Sequence, residues 1–365
     1  MLRYLIWGTG QKAEINLRRI PLAGLSENIE IVGFVDNATT KTMFQGKKVY
    51  APADICKLEW DFIDIWVTEG AGYKEIEKQI NAMDISDEKI VSVFEPFMQK
   101  IFDRYLPTSD VEIESFLATM KSKKAPCTFA YTPVYNGDLS EAFFDERKGL
   151  YYVLFEGKKL YFSKNYIFII RDGKRYVDNI WQEQDPNSPH LYEEGEVTVN
   201  EGDVLVDAGV CEGNFSLHNI DKVSKLYLIE CDVNWIEALQ ATFEPYRDKV
   251  VFCNKFLSDH DTETTITLNS LIKEPVGFIK MDIEGEEAKA LKGADKVFAS
   301  SENIKCSICC YHRHGDEKKI RSILKEYGLE TSTSKGYMLF LWDKEIWKNP
   351  ELRRGIVRAK RSLHS

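Results

Sequence analysis

The chain has 365 residues, 44% hydrophobic and 29% charged, with a formal net charge of -10. That length buries a sizeable core and exceeds the usual single-domain range, so two domains are expected. The acidic balance disfavours DNA or RNA as partner, and the opening "MLRYLIWGTG" holds no basic leader or cleavage site. With no apolar run of transmembrane length, the expectation is a soluble, cytoplasmic protein acting on a small molecule, without nucleic acid.

In chain order, "YLIWGTGQKAE" comes first: an apolar strand followed by Gly8, Gly10 and Ala13 in a G-x-G-x-x-A arrangement. Helical periodicity follows to about Leu25, and "IEIVGFVDN" is a second strand ending in Asp36, the ribose position of a dinucleotide fold. Further strands in "WDFIDIWVTE" and "KIVSVFE" flank a helix in "YKEIEKQINAM". This βαβ series defines a Rossmann-type domain over residues 1–96, with Gly8, Gly10 and Asp36 as candidate contacts to a nucleotide. The same glycines would also serve tight helix–strand packing.

Residues 97–195 read as a linker and cap: two helical stretches, then "GLYYVLFEGKKLYFSKNYIFIIRDGKRYV", which alternates like hairpins around Gly157 and Gly173. From 196 to 348 strand and helix alternate again, through "VLVDAGV", "KLYLIECD", "VVFCNKF", "GFIKMDIEG" and "IKCSICCYH" to "TSTSKGYMLFLW", expected as an antiparallel pair closing the sheet. Residues 349–365 are expected to be a basic tail. The eight cysteines are scattered and form no disulfide framework. "CSICC" lacks the second ligand pair of a structural zinc site and reads better as buried thiols in a strand.

The stretch "DAGVCEGNF" carries D-x-G-x-x-x-G at the end of an apolar strand. Gly209 and Gly213 let backbone approach a ligand, and Asp207 adds a carboxylate where a dinucleotide site has only glycines. An acid there favours a cationic ligand without phosphates, a description that fits S-adenosylmethionine. Glu230 ends the next strand and is placed to accept ribose hydroxyls, or, with Asp232, to cap the following helix.

"VDAGVCEGNFSL", "TLNSLI" and "FIKMDIEGEEAKALKGA" together resemble the FkbM-type family of S-adenosylmethionine-dependent methyltransferases over roughly residues 180–345. The resemblance implies an α/β fold, a class I methyltransferase with a seven-stranded Rossmann-like sheet, here preceded by the smaller parallel α/β domain. It implies S-adenosylmethionine as methyl donor and an oxygen acceptor on a sugar, polyketide or lipid. It extends the donor site to Glu212, Asn214, Phe215 and Cys231, and to His190, because "SPHLY" resembles a stretch preceding the motif in some members. Asn269 departs from the family's frequent aspartate and is assigned no role.

Lys280, Asp282 and Glu284 alternate at a strand end, so they are expected to project from one face and to orient a hydroxyl, take its proton or hold a divalent ion such as Mg2+ on Asp282 and Glu284. The competing reading is a surface ion pair with capping acids behind it. His312, ahead of His314, is the expected general base at the end of the next strand. The expected function is O-methylation of a sugar or other small-molecule hydroxyl in a polysaccharide or secondary-metabolite pathway. The alternatives are a nicotinamide-dependent oxidoreductase or epimerase and a nucleotide-sugar-binding scaffold.

Overall fold

The computed structural model describes residues 1–37, 41–67, 71–134, 139–177, 180 and 182–361. Two compact units divide the chain: residues 1–130 with 339–352, and residues 131–338 with 353–365. Among the described residues, no helix is long and apolar enough to cross a membrane.

The first unit opens with β1 (Leu2–Trp7), α1 (Gln11–Leu22), β2 (Ile29–Val35), the short β3 (Met43–Phe44), β4 (Lys47–Tyr50) and β5 (Phe62–Ile65). Their order is β3-β4-β2-β1-β5, with β1 parallel to both β2 and β5. Tyr4 to Trp7 are all buried, the unbroken apolar run that a parallel strand covered on both faces requires. Three helices follow, α2 (Ala71–Ala82), α3 (Glu95–Tyr105) and α4 (Val111–Lys123), the last capped by Asp110 through the amide of Glu112 at 2.9 Å.

The unit extends beyond residue 96 because α3 and α4 bury Phe97, Met98, Ile101, Phe116 and Met120. The segment 339–352 belongs here too: Trp347 packs its ring 4.5 Å from that of Phe97. "YMLFLW" is therefore not the second strand of a closing pair.

In the second unit, β6 (Ser140–Asp145), β7 (Leu150–Phe155), β8 (Lys158–Tyr161), β9 (Ile169–Arg171) and β10 (Lys174–Val177) form an antiparallel sheet, in the region expected as linker and cap. The rest of the unit comprises β11 (Val204–Ala208), α5 (Asn214–Asn219), β12 (Lys225–Ile229), α6 (Val233–Phe243), β13 (Val250–Cys253), β14 (Phe256–Leu257), β15 (Thr265–Ile266), α7 (Leu268–Leu271), β16 (Phe278–Met281), α8 (Glu287–Lys292), α9 (Asp295–Ser300), β17 (Lys305–Cys309), α10 (Asp316–Glu326), β18 (Leu329–Thr333) and β19 (Ile356–Arg361). Leu150 and Tyr161 of the antiparallel sheet pack on Ala238 and Ala241 of α6.

Seven strands make one sheet in the order β13-β12-β11-β16-β17-β19-β18. The first five are parallel, and β19 runs antiparallel to both neighbours. The chain leaves β11 toward β12 on one side, while β16 lies on the other, so the strand order reverses between β11 and β16. Ligands of open α/β sheets bind at the carboxyl ends of such a pair.

The basic C-terminal stretch is not a tail. Residues 356–361 are the inserted strand, and the buried Arg358 pairs with Glu194 at 2.8 Å and donates to the carbonyl of Leu191. Asn269 is structural: its side-chain oxygen accepts the amides of Lys296 (3.0 Å) and Val297 (3.3 Å) at the start of α9.

Candidate active site

The turn after β11 is shaped by contact with the turn after β16. Gly209 has φ +73°, and a Cβ there would lie 1.7 Å from the carbonyl oxygen of Asp282, so neither another residue nor a looser turn fits. Gly213, at φ +84°, lets α5 start against Leu239 and Phe243.

Asp207 and Lys280 are register partners on β11 and β16 and form a buried ion pair, 2.9 Å apart with 1% and 4% of their side chains exposed. The other Asp207 oxygen accepts the Ser216 hydroxyl at 2.6 Å, and Lys280 also donates to the carbonyl of Gly209. Burial works against the Lys280 ammonium, but Asp207 and Asp282 outweigh it and hold the group protonated. The two side chains that the sequence offered to ligand and acceptor are engaged with each other, and through the carbonyl of Gly209 they hold the turn after β11. Lys280 does not project with Glu284, whose side chain is 85% exposed at a backbone φ of +58°.

Glu230 accepts the amide of Cys211 at 2.9 Å and that of Asp232 at 2.8 Å, joining the ends of β11 and β12. Asp232, not Glu230, caps α6 through the amide of Asn234. An ionised carboxylate has about four lone-pair positions, so Glu230 retains acceptor capacity for ligand hydroxyls. Burial pushes the neighbouring Glu212 carboxyl up. Asn214 donates to the carbonyl of Ile180 at 3.0 Å, Phe215 meets the ring of Tyr192 edge-on at 5.1 Å, and Cys231 is exposed.

Asp282, just past β16, is the centre of the site. Its carboxylate accepts Tyr192 Oη and Tyr311 Oη, each at 3.1 Å, and lies 3.3 Å from both His190 Nε2 and His312 Nε2. Its side chain keeps 19% exposure where the two imidazoles are closed off, and two more exposed carboxylates stand at the rim, Glu183 3.5 Å from His190 Nδ1 and Glu284 3.7 Å from His312 Nε2. Burial alone would raise the Asp282 carboxyl, but the hydrogen bonds and charges of His190 and His312 hold it well below the ordinary range.

His312 sits between carboxylates, with Nδ1 3.1 Å from Glu287 Oε1. Burial lowers the imidazolium, while Asp282 and then Glu287 more than compensate and carry its pKa to about 10. The direction of that shift favours the imidazolium at neutral pH and weighs against His312 as the general base expected from the sequence. His314 is exposed.

His190, expected beside the cofactor, lies against Asp282, Tyr311 and the thiol of Cys309 (3.5 Å). The segment carrying it is anchored on the sheet by Ser307 Oγ, which donates to the carbonyl of Tyr192 at 2.6 Å, and by Arg358. Glu287 is the residue sequence reasoning passed over. It is 1% exposed and accepts the amides of Ile283 (2.9 Å) and Gly285 (3.3 Å), holding the turn as well as His312. Its signal was the last acid of "KMDIEGEE", which reads equally well as a helix-capping acid.

Among the described residues, two groups converge closely enough to hold a cation, Asp282 with Glu287 and His312, and His190 with Asp282 and Cys309. Glu284 belongs to neither. Imidazole and thiol donors do not suit magnesium, which requires oxygen ligands in octahedral array, so the Mg2+ expected on Asp282 and Glu284 does not fit. The buried Cys306, Cys309 and Cys310 lie along or just after β17, as thiols rather than a zinc cluster.

In the first unit, Gly8 has φ +123°, and a Cβ there would lie 2.6 Å from the carbonyl of Trp66. Asp36 accepts the amide (3.1 Å) and hydroxyl (2.6 Å) of Thr9. Both residues are engaged in packing the β1 turn, and Gly10 stands open at the start of α1.

Residues 161–330 match the family model described as methyltransferase FkbM domain, and residues 1–91 match that described as C2185-like, N-terminal. The structure is similar to methyltransferase FkbM from Methylobacillus flagellatus KT, with a TM-score of 0.52 and 14% identity, covering 98% of this chain and 89% of that one. Precorrin-6y C5,15-methyltransferase from Geobacter metallireducens GS-15 is similar at a TM-score of 0.32 and 12% identity, over 46% of this chain and 83% of that one. Magnesium protoporphyrin IX methyltransferase from Synechocystis PCC 6803, with bound S-adenosylmethionine, gives 0.30 and 18%, over 44% and 71%. No curated protein matches the chain. The likeness to the Methylobacillus structure is one of fold.

Proposed function

We propose that this chain, which carries a methyltransferase FkbM domain over residues 161–330, transfers a methyl group from S-adenosylmethionine to a hydroxyl oxygen of a small molecule. The observation that carries the reading is the contact between two turns: Gly209, at the expected donor site, lies backbone to backbone with Asp282, the carboxylate on which both imidazoles and both tyrosine hydroxyls of the polar cluster converge.

The residues around the β11 turn fit the donor. Glu230 has acceptor capacity for a ribose, the glycine turn admits close approach, and the Glu230 carboxylate suits a ligand carrying ammonium and sulfonium charges. Bound there, S-adenosylmethionine would supply an electrophilic methyl on a positively charged leaving group. Proximity and alignment of the acceptor are then the protein's main task, worth roughly 7–11 kcal/mol when geometry is well held.

Asp282 is the proton acceptor in this reading. A hydroxyl oxygen becomes strongly acidic as it is alkylated, so even a carboxylate held well below its ordinary pKa takes the proton, late in the transfer. Tyr192, Tyr311 and the His312 imidazolium fix the direction of that carboxylate, and Glu287 fixes His312. Lys280 is a positioning residue beneath the turn, not a stabiliser of the acceptor oxygen.

The acceptor we favour is a sugar or comparable small-molecule hydroxyl of a polysaccharide or secondary-metabolite pathway, with the protein in the cytoplasm; the net charge of -10 weighs against a nucleic acid. The test is incubation with methyl-labelled donor and a panel of sugars, nucleotide sugars and phenols. Label in an ether product from the wild type, absent with Asp282→Asn, supports the reading. Label on nitrogen, or equal transfer by both proteins, rejects it.

A further inference from the structure

The first unit holds a cavity of about 230 Å³ that none of the preceding chemistry uses. It opens at the carboxyl ends of β1 and β5. The chain passes from β1 through α1 to β2 on one side, while β5 pairs with the opposite edge of β1. The cavity therefore lies where the strand order reverses, the place at which an open parallel sheet presents its loops to a ligand.

Its charge is opposite to that of the chain. Lys12 of α1, Lys74 of α2, and Lys123 and Lys124 at the end of α4 line it, against two carboxyls, Asp64 and Glu77. The formal net charge of the whole protein is -10, so four lysines around one concavity form a local reversal of sign. Lys12 is held at the rim by donating to the carbonyl of Val67 at 3.0 Å. Asp64 belongs to the wall: one of its oxygens accepts Trp66 Nε1 (2.7 Å), the amide of Val93 (2.8 Å) and the Ser92 hydroxyl (3.3 Å). Burial pushes the Asp64 carboxyl up to about 6, so at neutral pH it stays mostly ionised, its charge engaged by the three donors of the wall.

Gly10 begins α1 with no side-chain cap, and Lys12 lies in that first turn. The amino end of a helix of 12 residues adds its positive end to the lysines. Drug-sized ligand pockets run about 300–1,000 Å³, so a cavity this size accepts a compact anionic group and not a whole dinucleotide. The strand carrying Asp36 lies on the other side of β1, and Asp36 is occupied by Thr9.

We propose that this cavity binds the phosphate or diphosphate group of a small phosphorylated molecule, with Lys12, Lys74 and Lys124 as its charged contacts. A sugar phosphate and the diphosphate end of a nucleotide sugar share that chemistry. The site is independent of methyl transfer in the second unit.

The experiment is calorimetric titration of the full chain with inorganic pyrophosphate, glucose 1-phosphate and UDP-glucose, with glucose as the uncharged control. At least one phosphorylated probe binds and glucose does not; preference for glucose 1-phosphate over UDP-glucose identifies the sugar phosphate source, and the reverse the nucleotide sugar. In the double variant Lys74→Glu, Lys124→Glu, affinity falls about tenfold or more, as reversing two nearby charges requires. Lys12→Ala is a second variant, read only if its thermal midpoint matches the wild type, because Lys12 also ties down Val67. S-adenosylmethionine titrated into the double variant separates this proposal from the previous one, since donor binding there is unchanged whichever way the phosphate result falls. Failure of every phosphorylated probe at millimolar concentration, or equal binding by wild type and double variant, overturns it.

Discussion

Lys280 and Asp207 face each other across β16 and β11 in a buried ion pair 2.9 Å long, and the same ammonium reaches the carbonyl of Gly209. Removing one partner strands the other charge in the interior, which costs about 3–5 kcal/mol, whereas replacing both with apolar residues is often nearly neutral. Lys280→Met is accordingly expected to destabilise the protein by that amount in denaturant unfolding. Lys280→Met combined with Asp207→Leu recovers a large part of it. A single variant as stable as the wild type would remove the pair from the turn's support.

Gly209→Ala is expected to destabilise by about 2–5 kcal/mol, combining a left-handed backbone with overpacking against Asp282. Gly10→Ala is the contrast. A Cβ at Gly10 meets nothing within 4 Å, so it costs under about 1 kcal/mol. Thermal unfolding of the two variants side by side checks the ordering.

The pH dependence follows from His312 and Asp282. His312 is raised from 6.5 to about 10 in the folded protein, so its stabilisation is complete below 6.5 and is lost as pH rises through about 10. Asp282 is depressed, so its stabilisation is present above 3.8 and is lost as pH falls toward its lower folded value. Glu287→Gln removes a carboxylate from His312 Nδ1 and lowers the imidazolium pKa. The alkaline loss of stability then begins at lower pH. NMR titration of the His312 ring reads this directly, and an unchanged midpoint would contradict the contact.

The sequence disclosed what local pattern can disclose. "VLVDAGV" places Gly209 directly after β11 because the chain must turn sharply there, and "KMD" places an acid at the end of an apolar strand; both were legible. The orientation of Lys280 was not, since alternation assigns a face to a side chain but says nothing of the Asp207 opposite it on another strand. Nor was the protonation of His312, which depends on Asp282 and Glu287 converging from a different turn. "IVRAKR" looked like a solvated basic tail because its charges belong to partners more than a hundred residues away, Glu194 for Arg358 and Glu196 for Lys360. His190 was noticed through a resemblance, but its place against Asp282 is set by contacts of its segment with β17 and β19.

Tyr311→Phe removes the hydroxyl that reaches both Asp282 oxygens and His190 while keeping the ring that meets the His190 imidazole edge-on. Losing a hydrogen bond to a charged group costs about 1.5–3 kcal/mol, so the folded Asp282 carboxyl rises and turnover falls with donor affinity intact. Donor titration and single-turnover rates of this variant separate positioning from binding.

The most direct measurement is calorimetric titration of S-adenosylmethionine into the wild type, Glu230→Ala and Asp282→Asn. The wild type binds one equivalent, Glu230→Ala binds it weaker by about 1–3 kcal/mol, and Asp282→Asn binds it as the wild type does, because Asp282 serves the acceptor. No heat with the wild type, or equal affinity in Glu230→Ala, would contradict a donor site built on the turn between Gly209 and Gly213.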